Sequence, residues 1–96
     1  MKVNNINGTG DNACKCGSWL SHWKNHSWQA LADYCAEKNC INRPTIGAHV
    51  QKDDVADANW YIIPFCDLHN RVTGKSLEII DSTKLVPANV QETCGK

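Results

Sequence analysis

Cysteine and histidine carry the chemistry in this 96-residue chain, six of the first and four of the second. Their tightest arrangement is Cys35-x4-Cys40, a gap of twenty-five residues, then Cys66-x2-His69. Zn²⁺ takes four thiolate or imidazole ligands in a tetrahedron, usually delivered as two close pairs by two local turns. The polar stretch Ala36-Glu37-Lys38-Asn39 suits a turn that aims the first two sulfurs at one point. The second pair suits the first turn of a helix, where a two-residue gap sets Cys66 and His69 on one side. The positive end of such a helix also favours the Cys66 thiolate. Cys35, Cys40, Cys66 and His69 are therefore the expected ligands of a principal zinc site.

Three sulfurs remain, Cys14, Cys16 and Cys94, towards the two ends of the chain. With His22 or His26 they complete a second tetrahedral set. His22 has the better claim, because Cys16-Gly17 leads straight into its helix. A redox-sensitive pair at Cys14 and Cys16, or plain free thiols, are the competing readings.

The elements that must position these residues follow from pattern and punctuation. Residues 1–13 are polar and rich in Gly and Asn, which reads as a flexible arm. Trp19, Leu20 and Trp23 fit one helical face with Ser18 as its cap. Residues 25–27 interrupt it, and Trp28, Leu31 and Ala32 begin a second helical stripe. The tryptophans are expected to pack in the core. Pro44 precedes a short strand at 47–51; residues 52–59 form a polar connection. A β-prone strand at 60–63 should stop at Pro64. Residues 67–75 read as a short helix closing at Gly74. Residues 77–80 and 84–86 read as a β-hairpin around the turn at 81–83.

Composition limits what this scaffold can be. Ninety-six residues make one small α+β domain, and a chain of that size builds a thin core that usually needs staples. Six cysteines could form disulfides, but the N-terminus lacks an apolar run of signal-peptide length, which points to a reducing, cytoplasmic address and to metal. No stretch approaches the roughly 18–20 apolar residues of a membrane span, so no membrane partner is expected. Ten basic residues balance ten acidic ones, which argues against a binder driven by phosphate electrostatics. Arg71 and Lys75 could form a local basic patch, although a solvated helix face is the ordinary reading.

Knuckle, strand with a central His, strand ending in Pro64-Phe65-Cys66, then helix: over residues 34–76 this order resembles the treble-clef zinc finger of HNH endonucleases. Gly47-Ala48-His49-Val50 and Ile62-Ile63-Pro64-Phe65-Cys66 carry the likeness. The resemblance implies His49 as the general base that activates water, and Asn70 in the place of the family's final metal-binding residue. It also implies Mg²⁺ or Mn²⁺ as a catalytic ion beside the structural zinc. The chain departs from the family pattern at Ala48, where a metal-binding residue often stands, and at Tyr61, near the expected central Asn. Asp53, Asp54 and Asp57 could lend a carboxylate, which Mg²⁺ normally requires. The expectation is a zinc-stabilised HNH-like binding module. It would recognise nucleic acid or protein without catalysis, through a surface around His49, Asn70 and Arg71. The alternative is a divalent-metal-dependent endonuclease.

Overall fold

The computed structural model describes residues 1–6, 19–53, 56, 59–72 and 76–88. In chain order the elements are strand β1 (Lys2–Asn5), helix α1 (Trp19–His26), β2 (Ile46–Lys52), β3 (Tyr61–Phe65), α2 (Asp67–Asn70), β4 (Ser76–Glu78) and β5 (Val86–Pro87). The strands form one antiparallel sheet in the order β4-β1-β2-β3-β5. The α+β class is as expected, and several details differ from expectation for identifiable reasons.

Within the segment read as a flexible arm, residues 2–5 form a strand in the interior of the sheet, hydrogen-bonded between β2 and β4. Lys-Val-Asn-Asn has a polar composition, yet only Val3 points into the core, where it is fully buried. Backbone pairing on both sides outweighs the weak strand propensity of Asn. Residues 7–13 lie outside the described residues.

The expected C-terminal hairpin is also replaced. β4 and β5 do not pair with each other: β4 lies against β1 at one edge and β5 against β3 at the other. The intervening segment, 79–85, therefore crosses from one edge of the sheet to the other. Trp23 of α1 and Gln29, just beyond its end, tie this crossing down. Trp23 Nε1 donates to Lys84 O at 2.7 Å, Gln29 Nε2 donates to Ser82 O at 2.8 Å, and Lys84 N donates to Gln29 Oε1 at 3.0 Å.

No second helix forms at Trp28. α1 ends at His26, Ser27 N donates back to Trp23 O at 2.9 Å, and Trp28 takes φ 59°. A left-handed residue just past a helix is a stop signal. The Ser27 hydroxyl then accepts from Gln29 N at 3.1 Å and fixes an irregular course. Trp23 is buried as expected, whereas Trp28 is 93% exposed and Trp60 43% exposed. Pro64 does not end β3 but sits inside it, opposite Gly47. It is tolerated because β5 reaches only Tyr61 and Ile62, so no ladder bond is asked of its missing N–H on that side.

Strand alternation sorts the residues into two layers. Val3, Ala48, Val50, Ile63, Phe65 and Leu77 face one way and form the larger core with Cys35, Ala36, Cys66 and Ile79. Ile62 and Val86 face the other way, against Trp23 of α1, with Trp19 and Leu31 packed beside them. Gly47 lies under the start of α1, so close that a Cβ there would collide with the Trp19 carbonyl carbon and Leu20 N. That contact is possible only for glycine.

Candidate metal centre

The larger core opens at one end onto the knuckle that carries Cys35 and Cys40. Backbone bonds hold this segment on the sheet: Ala36 N donates to Pro64 O at 2.9 Å, Ile80 N to Ala36 O at 2.9 Å and Lys38 N to Glu78 O at 2.9 Å. Cys40 N closes the turn on Glu37 O at 3.1 Å, and Cys35 N is anchored on Asn42 O at 2.8 Å. The second half of the centre leaves β3 directly. Cys66 is the N-cap of α2, its sulfur accepting from His69 N at 3.5 Å. α2 covers Asp67–Asn70 and is capped at Arg71; the expected closure at Gly74 lies outside the described residues. From β1, Asn5 Nδ2 donates to the carbonyls of His69 and Asn70, fixing the end of that single turn.

Two local turns thus bring Cys35, Cys40, Cys66 and His69 together, with one ligand atom from each within 4.8 Å of the others. The four residues expected from spacing are the four that meet. Their separations test whether zinc fits. A tetrahedron with zinc–sulfur bonds near 2.3 Å and a zinc–nitrogen bond near 2.0 Å has S···S edges of about 3.8 Å and S···N edges of about 3.5 Å. Cys40 Sγ and Cys66 Sγ are 3.8 Å apart. His69 Nδ1 lies 3.6 Å from Cys35 Sγ and 3.3 Å from Cys66 Sγ. These three edges are consistent with an S₃N zinc site, and Cys35, Cys40 and Cys66 are free thiols rather than disulfides.

The electrostatics around the sulfurs differ sharply. Burial pushes the Cys35 thiol up to about 12, with the neighbouring Cys66 adding to the rise. Cys66 is also penalised by burial. The His69 N–H and imidazole, together with the Cys35 and Cys40 thiols, overcome that and bring it down to about 7. Asn42 supports two sulfurs, donating from its backbone N to Cys40 Sγ at 3.4 Å and from Nδ2 to Cys66 Sγ at 3.9 Å.

Spacing did not single out Glu37. Its Oε2 lies 3.3 Å from His69 Nε2, with both side chains 18% exposed. A carboxylate between two cysteines of a knuckle was the available signal.

The other expected site residues fall elsewhere. His49 is buried and packs its ring against Trp19 at 4.5 Å between centroids. Its neighbours Ala48 and Val50 belong to the cysteine-bearing layer, so His49 faces the α1 layer instead. Asn70 belongs to α2, whose His69 meets the cysteines on the opposite layer. In place of an accessible surface around His49 the structure has a buried ring. Arg71 pairs with Asp67 at 2.8 Å on the exposed side of α2.

For the second set, His22 is fully buried, with Nε2 2.9 Å from Pro87 O and its ring 5.1 Å from that of His26. Cys14, Cys16 and Cys94 lie outside the described residues, as do Ser18, Asp54, Asp57 and Lys75. Among the described residues no helix is long and apolar enough to cross a membrane. No family model matches the chain, and neither a curated protein nor a solved structure matches it.

Proposed function

We propose that this protein is a zinc-stabilised binding module built on an HNH-like, treble-clef scaffold, and that it works without cutting its partner. The observation that carries the proposal is the convergence of Cys35, Cys40, Cys66 and His69, whose separations suit zinc better than any hard cation, since thiolates select borderline or soft metals. The order of knuckle, β2–β3 hairpin and α2 supports the treble-clef reading. A closed set of four protein ligands is the mark of a structural zinc, because catalytic zinc keeps a position open for water.

The non-catalytic reading rests on the two layers of the sheet. A general base must reach its water, and His49 is 7% exposed with its ring packed against Trp19. The partner is a nucleic acid or a protein, and balanced charge weights the choice towards protein.

Zinc-loaded protein incubated with supercoiled plasmid and Mg²⁺ or Mn²⁺ tests the catalytic side. No nicking is expected. Nicking that disappears in His49→Ala, with zinc and fold retained, overturns the non-catalytic reading in favour of an endonuclease. Titration with single- and double-stranded nucleic acid at low salt tests the partner. A mobility shift assigns nucleic acid, and its absence moves the weight towards a protein partner.

A further inference from the structure

Glu37 occupies an unusual place in the metal centre. It lies inside the knuckle that supplies Cys35 and Cys40, yet its carboxylate reaches the imidazole supplied by α2. Resting on the zinc reading above, we propose that Glu37 is the positioning residue of the centre, accepting a hydrogen bond from His69 Nε2–H and so presenting Nδ1 to the metal.

The geometry separates the two ring nitrogens. Nδ1 faces the sulfurs, 3.6 Å from Cys35 Sγ and 3.3 Å from Cys66 Sγ. Nε2 faces Glu37 Oε2 at 3.3 Å. A neutral imidazole has one donor and one acceptor nitrogen, and the partner of the first decides the tautomer. A carboxylate only accepts, so the proton sits on Nε2 and the Nδ1 lone pair points to the cluster. Carboxylate–histidine pairs around zinc orient the ring and raise its basicity in this way.

Glu37 is itself held for the task. Its other oxygen, Oε1, accepts from Asn39 N at 3.3 Å, and its backbone forms a bridge with Ile79 at the end of β4. It is not a fifth ligand, since the converging set contains only the three cysteines and His69. Its carboxylate sits beyond the far nitrogen of the ring. One six-residue turn, Cys35 to Cys40, thus provides two sulfurs and the group that aims the ligand from the other half of the site.

Zinc affinity, read by competition with a chromophoric chelator, tests this in wild type, Glu37→Gln and Glu37→Ala, each also made in a His69→Cys background. Glu37→Ala is expected to weaken zinc binding roughly 10–100-fold. Glu37→Gln, which keeps an acceptor oxygen, should recover most of that loss. In the His69→Cys background, where no ring needs aiming, Glu37→Ala should change affinity by less than about twofold, because coupling vanishes when the partner is gone. An equal loss in both backgrounds, or no loss in either, overturns the positioning role while leaving the zinc centre standing. Wild-type protein that takes up no zinc overturns the zinc reading itself. Should His69→Cys not fold, nitrogen NMR of zinc-loaded wild type decides. A protonated Nε2 and a metal-bound Nδ1 are expected, and metal on Nε2 overturns the proposal.

Discussion

At the scale of the residue, Cys35 and Cys66 of the centre hold their protons differently. Burial holds Cys35 near 12, whereas Cys66 lies near 7. Zinc binds the thiolate, so near neutral pH it must displace the Cys35 proton outright and the Cys66 proton in part. Each proton released makes apparent affinity rise about tenfold per pH unit. Chelator competition at several values between pH 6 and 8 should therefore show tighter binding as pH increases, with a slope of at least one proton. Cys35→Ser removes a fully buried ligand and is expected to abolish stoichiometric zinc. The convergence of these four residues was legible in the sequence because paired spacing on a turn and a helix start is a local property. Glu37 was not, because its partner His69 is thirty-two positions away and only the fold joins them.

At the scale of the element, two backbone positions decide where α1 begins and ends. Gly47 lets the start of the helix rest directly on β2. Gly47→Ala would force backbone apart and should destabilise the zinc-loaded protein by about 1–3 kcal/mol in urea unfolding. Trp28 ends α1 with φ 59° while its side chain stays 93% exposed. A left-handed conformation costs a non-glycine residue about 1–2 kcal/mol, so Trp28→Gly should stabilise the fold by up to about that much. Neither position could be read from hydrophobic pattern. The stripe Trp28, Leu31, Ala32 has helical spacing, yet the Ser27 hydroxyl bond to Gln29 N competes with continuation of the helix. β3 was legible from its β-prone run, and β2 from the punctuation at Pro44 and Gly47. The separation of β4 and β5 was not, since pairing across the sheet depends on contacts far apart in sequence.

At the scale of the whole molecule, one sheet divides two environments. The metal centre closes one layer, and α1 covers the other, burying its own His22 and the His49 of β2. Burial lowers the affinity of both imidazoles for a proton, helped in His22 by the neighbouring His26 and in His49 by His22, although Pro87 O opposes the shift in His22. The unfolded rings take up protons near 6.5 while the folded rings resist until lower pH. The unfolded state thus binds more protons, and stability falls as pH drops below that value. At saturating zinc, urea midpoints should decline from pH 7 towards pH 5, and His49→Gln should flatten the decline.

The candidate metal centre joins these scales, since Cys35 and Cys40 of the knuckle converge there with Cys66 and His69. Native mass spectrometry of protein purified from a reducing cytosol, paired with circular dichroism before and after chelation, tests it most directly. At least one zinc ion per chain, lost with the fold on chelation, is the result predicted. A metal-free chain that stays folded would contradict the account.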